Sequence, residues 1–186
     1  MPARRRGERA AAEEPQEVLE QRALELSQER PEAQQEALKV LLFRIGREHA
    51  GLSAEYVREV VRPQNPPARV PGTPDFVLGL VNLRGRIVAC LDVGQFLGIK
   101  SRFAHSLPFM VVITYEDLEM GIAVDEVSAV MDVPTSEIEP PSSALSAERA
   151  RFIKGVFYVR KRPLSLIDLE SLVHSDQISQ LREATV

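Results

Sequence analysis

The chain has 186 residues, of which 44% are hydrophobic and 27% charged, a composition typical of a globular protein with one substantial domain or two small ones. Its formal net charge of −4 argues against a general nucleic-acid binder, which needs a basic face. A single cysteine excludes an intrachain disulfide, and no apolar run reaches the ~20 residues that span a bilayer. The arginines that follow Met1 precede no apolar core of a secretory signal, so we expect a cytoplasmic protein.

Residues 1–37 differ in composition from the rest and form the first predicted domain. Four arginines in the first ten residues are followed, within residues 11–37, by eight glutamates. Such a segment has little apolar surface to offset the entropy of ordering, so much of it should be mobile. One helix is predicted in PQEVLEQRALELSQER, beginning at Pro15 and ending before Pro31. It is either a marginal helix on a solvated tail or a specific docking helix.

A succession of short β-strands is predicted from Lys39 onward. In chain order the runs are KVLLFRI, AGLSAEYV, REVV, FVLGLVNL, IVACL, PFMVVITY, MGIAVDEVSAVMDV, FIKGVFYV and PLSLI. Polar or Gly/Pro-rich segments separate them, notably RPQNPPARVPGTP at 62–74. A helix is expected from about residue 168 to residue 182. The predicted β domain covers residues 38–175, and residues 176–186 form its helix end and tail.

The β region contains an internal repeat. FVLGLVNLRGRIVACLD at 76–92 aligns without a gap with FIKGVFYVRKRPLSLID at 152–168, an offset of 76 positions. Five identities recur at that offset: Phe76/Phe152, Gly79/Gly155, Arg84/Arg160, Arg86/Arg162 and Asp92/Asp168. Upstream, apolar positions and Gly51/Gly121 match at an offset of 70. We expect each half to form a small sheet of about five strands, with the two halves related by a pseudo-twofold axis.

The sequence contains no recognisable constellation of catalytic residues. Asp92 and Asp168 follow strands at equivalent places and are expected to cap helices, with Gln95 completing a capping box after Asp92. Cys90 lies in an apolar strand and should be buried and inert. The three histidines are isolated, so no metal site is predicted. This pattern argues against an enzyme, and no cofactor is expected.

The run Asn82-Leu83-Arg84-Gly85 occurs in the first copy of the repeat alone, where the second copy has YVRK. Gly85 can adopt a positive φ at the tip of a hairpin. Arg84 and Arg86 on such a turn are either solvated charges or donors to the carboxylates and carbonyls of a partner.

The run FVLGLVNLRGRIVACLD resembles the signature of the CheW family, the coupling proteins of bacterial chemotaxis. MGIAVDEVSAVMDV is similar to the second-half signature of that family, and FIKGV with LSLIDLESLV is similar to its closing segment. The resemblance covers roughly residues 39–173. It departs from the family at Ala50, where an aromatic residue is usual, and at Ala89, where a proline is usual.

The resemblance implies a mainly β fold of two intertwined SH3-like five-stranded barrels about a shared core. It also implies a non-catalytic adaptor linking the cytoplasmic tips of chemoreceptors to the regulatory domain of the histidine kinase CheA, in arrays at the inner face of the cell membrane. Neither nucleic acid nor membrane insertion is implied. The family's receptor-binding positions fall on Val57, Glu59, Gly79, Asn82 and Arg84, and its kinase-binding positions on Gly121, Val124, Asp125 and Val127.

The alternative is an SH3-like regulatory or nucleic-acid-binding module outside chemotaxis. A nucleic-acid barrel needs a basic stripe with exposed aromatic side chains, whereas aromatic residues make up 5% of this chain and tryptophan is absent.

Overall fold

The computed structural model describes residues 36–100, 103 and 107–183, with the side chains of residues 182 and 183 excepted. The helix predicted within residues 15–30 lies outside this range. Ten strands form two five-stranded sheets: β1 (Ala37–Ile45), β2 (Glu48–Ser53), β3 (Val57–Val61), β4 (Val77–Leu83), β5 (Arg86–Leu91), β6 (Phe109–Tyr115), β7 (Leu118–Val124), β8 (Glu126–Pro134), β9 (Ile153–Val159) and β10 (Arg162–Ile167). The mainly β fold of two sheets is confirmed.

The two sheets do not correspond to the two halves of the chain, so one expectation was wrong. The first sheet has the order β8-β1-β2-β10-β9 and the second has the order β3-β6-β7-β5-β4. Each sheet therefore takes strands from both halves. The two orders are equivalent when each strand is replaced by the one whose number differs by five. β8 then becomes β3, β1 becomes β6, and the rest of the second order follows. The pseudo-twofold relation predicted from the repeat is present, but it is built by strand exchange.

The strand register reproduces the two sequence offsets. In the first sheet Leu42 pairs with Gly51, and 70 residues later Val112 pairs with Gly121 in the second. The parallel pairs behave in the same way: Leu166 of β10 faces Gly51, and Cys90 of β5 faces Gly121. Two halves that pair with each other in equivalent registers share one structural plan, which accounts for the repeat.

The main core lies between the sheets and draws apolar side chains from both of them. Phe43 of the first sheet and Val111 of the second belong to it and are almost completely buried. Phe96 lies between the repeat equivalents Phe76 and Phe152, with ring centroids 4.9 and 5.5 Å away in edge-on contacts. Because both halves contribute to one core, burial stabilises the exchanged arrangement as a unit.

The predicted C-terminal helix is two helices. A short helix α1 (Ala147–Ala150) precedes β9, and α2 (Leu169–Val173) and α3 (Asp176–Glu183) follow β10. Asp168 caps α2, as predicted, by accepting the Ser171 backbone N–H at 3.0 Å. The break falls at Ser175, whose buried hydroxyl donates to the Leu172 carbonyl at 2.7 Å and accepts the Ile178 N–H at 3.4 Å. A serine that caps a new helix interrupts the expected continuous one.

The prediction that Asp92 caps a helix, with Gln95 completing a capping box, was also wrong. Residues 93–98 form turns instead of a helix. Asp92 accepts the Gly94 N–H at 3.0 Å, and the Gln95 side chain donates to the Asp75 carbonyl at 3.1 Å instead of reaching back. Gly98 has φ +64°, and the Ile99 N–H donates to the Gly94 carbonyl at 2.8 Å, which closes the turn. Across the described residues, no helix is long and apolar enough to cross a membrane.

Candidate functional site

The second sheet carries an open groove between its two edge strands, β3 and β4. This β3–β4 groove has a volume of about 890 Å³ and is lined by residues 59–66, 68, 80–84 and 87. Its walls expose three large apolar side chains, with Val60 and Leu80 each 38% exposed and Ile87 63% exposed. Apolar side chains that stay exposed together in a concave surface are typical of a binding site for another molecule.

The β4–β5 turn forms one rim of the groove. Arg84 and Gly85 have φ values of 52° and 86°, the left-handed pair of a tight hairpin turn. The Asn82 side chain accepts the Gly85 backbone N–H at 2.8 Å. The asparagine and the glycine of the NLRG run therefore build the turn together. This geometry leaves the Arg84 side chain 84% exposed.

Five charged side chains form a connected network beside the groove. Arg86 donates to Glu59 at 2.9 Å through one terminal nitrogen and to Glu119 through the other. Arg84 approaches the second oxygen of Glu59 at 3.7 Å, and Arg58 approaches Glu119 at 3.5 Å. The hydrogen bond from Arg86 to Glu119 and the two nearby carboxylates raise the pKa of the Arg86 guanidinium. The network alternates three cations with two anions and ends at Arg84 on the rim.

This network revises the sequence interpretation of Arg86, which predicts a solvated charge or a donor to a partner. Arg86 is engaged by carboxylates of its own chain, 27 and 33 residues away. Glu119 was missed altogether. No local sequence signal could have revealed either pairing, because the partners lie on three different strands.

The structure brings the predicted receptor-binding positions to one region of the second sheet. Glu59, Asn82 and Arg84 line the β3–β4 groove, and Val57 is half-buried at the start of β3. Gly79 lies beneath the surface in β4, against the backbone of Ala68, and does not line the groove. Three of the five positions thus face the groove, and two belong to the strands that form it.

Three of the four predicted kinase-binding positions lie at the junction of β7 and β8, and Gly121 lies within β7, three residues before Val124. Gly121 and Val124 are buried in β7, and the Val124 side chain has no exposed surface. The Asp125 carboxylate accepts the Gly46 N–H at 2.6 Å and lies 4.0 Å from Arg44. Val127 is half-buried in β8 and pairs with Phe43. Asp125 and Val127 are therefore the two positions with surface available to a partner.

Cys90 is completely buried, as predicted. Burial, with a smaller contribution from Asp92, raises the pKa of its thiol to about 12. A thiol with so little thiolate character is a poor nucleophile at neutral pH. Its role in this structure is packing within the main core.

Comparison with known proteins places the chain in a family. Residues 39–177 match the CheW-like domain family. A probable chemotaxis protein CheW of Rhizobium etli is 32% identical over 135 residues, which is 72% of this chain and 86% of that protein. The chemotaxis protein CheW of Rhizobium meliloti is 28% identical over 139 residues, 75% of this chain and 89% of that protein.

A solved structure agrees with this assignment. The crystal structure of the scaffolding protein TtCheW from Thermoanaerobacter tengcongensis superimposes with a TM-score of 0.64 and 26% sequence identity. The match covers 76% of this chain and 95% of that one, so it includes nearly all of the second protein. Because the family match spans most of this chain, the chain belongs to the CheW-like domain family.

Proposed function

We propose that this chain is a non-catalytic adaptor that couples chemoreceptors to the histidine kinase CheA in a bacterial chemosensory array. The observation that carries the proposal is the β3–β4 groove, which combines exposed apolar walls with a charged rim in a protein of the CheW-like family. An adaptor acts by binding its partners, and such a groove can bind a partner without catalysing a reaction. Its place in the cell would be the inner face of the membrane, where receptor tips and kinase meet.

The receptor side of the proposal rests on the shape and charge of the groove. A helical hairpin with an apolar stripe would lay that stripe against Val60, Leu80 and Ile87. Arg84, exposed at the rim, would then fix the register by donating to a carboxylate or a helix-terminal carbonyl of the receptor. The network beside the groove holds three cations and two anions, so the charge that it presents to a partner is cationic on balance.

The kinase side would use the junction between β7 and β8. Asp125 and Val127 supply surface there, whereas Gly121 and Val124 would act by shaping the strand. Asp125 already holds the β1–β2 turn through Gly46. The regulatory domain of CheA would therefore recognise the shape of this junction more than its free charge.

The nucleic-acid module considered above is not favoured. The net charge is −4, and the relatives compared above are chemotaxis and scaffolding proteins. Phosphate binding requires a basic face, and on the groove rim the cations alternate with carboxylates.

The test is a binding measurement with two separate partners. The full chain is titrated by calorimetry with the cytoplasmic fragment of a chemoreceptor from the same bacterium and, separately, with the regulatory domain of its CheA. We expect both to bind, and Arg84→Ala to weaken binding of the receptor fragment alone. Arg160→Ala is the matched control, since Arg160 occupies the equivalent turn with φ 49° in the first sheet. Absence of binding to both partners at tens of micromolar would refute the adaptor function.

A further inference from the structure

We infer that Arg86 is a positioning residue of the β3–β4 groove: it holds Glu59 and, through Glu59, sets the orientation in which Arg84 meets a partner. This inference rests on the proposed function, because it concerns how the same groove recognises its receptor. Arg86 itself does not line the groove, whereas Glu59 and Arg84 do. It would therefore act on recognition through its neighbours.

The contacts of Arg86 give it this position in the network. Its two terminal nitrogens go to carboxylates on different strands, Glu59 of β3 and Glu119 of β7. The side chains of Arg86, Glu59 and Glu119 are all half-buried, so solvent screens these pairs less than it screens the exposed contact between Arg84 and Glu59. Arg86 thus fixes Glu59, and Glu59 offers its other oxygen to the exposed Arg84.

The sheet topology explains why the bond between Arg86 and Glu59 affects the groove. β3 is an edge strand that pairs with β6, and β4 is the opposite edge, paired with β5. In the part of the chain that the structure describes, no backbone ladder joins β3 to β4 or β5. The bond from Arg86 to Glu59 links the β3 wall to the β4–β5 hairpin that carries the other wall. The position of Arg84 relative to β3 depends on such a link.

The internal repeat shows that the fold itself does not require this pairing. Arg86 recurs as Arg162 in the equivalent turn of the first sheet, but the positions of Glu59 and Glu119 are occupied there by Ala129 and His49. Arg162 is exposed and makes no ion pair with any described residue. The same hairpin therefore forms with its arginine unpaired. The two carboxylates are present in the sheet that carries the groove and absent from its counterpart, which indicates a role in binding.

The experiment compares R86Q, R86K, R84Q, the R84Q/R86Q double variant and the matched control R162Q, all in the full chain. Binding to the chemoreceptor cytoplasmic fragment and to the CheA regulatory domain is measured by calorimetry, and folding is followed by thermal unfolding. We expect R86Q to weaken receptor binding about tenfold, the size of one lost charge-assisted hydrogen bond, with kinase binding unchanged. R86K should recover part of the loss, because an ammonium can hold one carboxylate but not both in the planar fork. R162Q should bind both partners like the wild type.

The double variant separates positioning from an independent contribution. If Arg86 acts through Glu59 on Arg84, R84Q/R86Q binds the receptor fragment no more weakly than R84Q alone. The inference is overturned if the two losses multiply, if R86Q binds the receptor like the wild type, if R162Q loses as much affinity as R86Q, or if R86Q fails to fold. A wild-type chain that binds neither partner would instead refute the proposed function, so the two failures are distinguishable.

Discussion

Gly79 lies so close to the backbone of Ala68 that a Cβ atom at position 79 would be 2.4 Å from the Ala68 carbonyl oxygen. The approach allows Ala68 and Leu80 to exchange two backbone hydrogen bonds of 2.8 Å. Gly155, the repeat equivalent, lies in the same way against Glu139, which exchanges two 2.8 Å bonds with Val156. The glycine shared by both copies thus lets a crossing segment pair with the outer edge of β4 or β9.

Alanine at either glycine should therefore destabilise the protein. We expect Gly155→Ala to lower the free energy of unfolding by about 1–3 kcal/mol, the usual cost of overpacking. Gly79→Ala should lower it more, because residue 79 also has φ +136°, which L side chains rarely adopt. Urea denaturation measures both.

The same pair separates groove shape from general stability. Gly79→Ala displaces the Ala68 segment that lines the β3–β4 groove, whereas Gly155→Ala disturbs the opposite sheet. Receptor-fragment binding should fall in Gly79→Ala and persist in Gly155→Ala at a temperature where both are folded. Equal losses in both variants would contradict this local role of Gly79.

Asp125 should contribute to stability through its hydrogen bond more than through its charge. Asp125→Ala leaves the Gly46 N–H without its 2.6 Å acceptor, and we expect a loss of about 1–2 kcal/mol in the free energy of unfolding. Asp125→Asn keeps an oxygen for that N–H and should lose clearly less. Glu126→Gln is the control, because its ion pair with Arg44 at 3.3 Å is largely exposed and should be worth about 0.5 kcal/mol or less. Equal effects of Asp125→Ala and Asp125→Asn would assign the contribution to charge.

The cap of α2 is a separate source of stability. Asp168 accepts both the backbone N–H and the hydroxyl of Ser171, at 3.0 and 2.9 Å. Asp168→Ala should lower the free energy of unfolding by about 1 kcal/mol, the usual value of an N-cap. Asp176→Ala removes an exposed carboxylate from the first turn of α3. It should lower the free energy of unfolding by only about a few tenths of a kcal/mol, the usual size of the interaction between one charge and a helix end. A comparable loss in both variants would show that the bonds to Ser171 add nothing.

Cys90 makes stability depend on pH in the alkaline range. Its pKa is raised by burial from 9.0 to about 12, so between these values the unfolded thiol loses its proton while the folded thiol keeps it. The unfolded state then binds fewer protons, and the free energy of unfolding contributed by Cys90 falls as pH rises. Below pH 9 this contribution is fully present.

Cys90→Ala should flatten this part of the pH dependence. Urea denaturation at several pH values from 8 upward gives the free energies of unfolding of the wild type and of Cys90→Ala. We expect the difference between these two free energies to shrink as the pH rises, with a steepest slope that corresponds to about one proton per molecule. The comparison at pH 8 gives the packing cost of the lost sulfur atom alone. A constant difference across the series would mean that Cys90 does not titrate differently in the two states.

Several parts of this protein follow from short stretches of sequence. Runs in which apolar and polar residues alternate, separated by Gly/Pro segments, predict the strands. The prediction is possible because this alternation lies within the sequence of each strand. The NLRG run predicts the β4–β5 turn, since Asn82 and Gly85 build it from four consecutive residues. The C-terminal helix was predicted less well, because the same residues fit one continuous helix until the buried Ser175 hydroxyl is seen to cap a second.

The amino-acid sequence alone determined that one plan is used twice, since its offsets of 70 and 76 reappear unchanged in the strand registers. Only the tertiary structure decided which strands pair, and it placed β8 beside β1 and β10 beside β2, across the two halves. The bonding of Arg86 to Glu59 and Glu119 was decided at the same level. Apolar patterning specifies the face that a strand buries but not the strand beside it. That choice depends on which of many distant pairings buries the most apolar surface in one shared core.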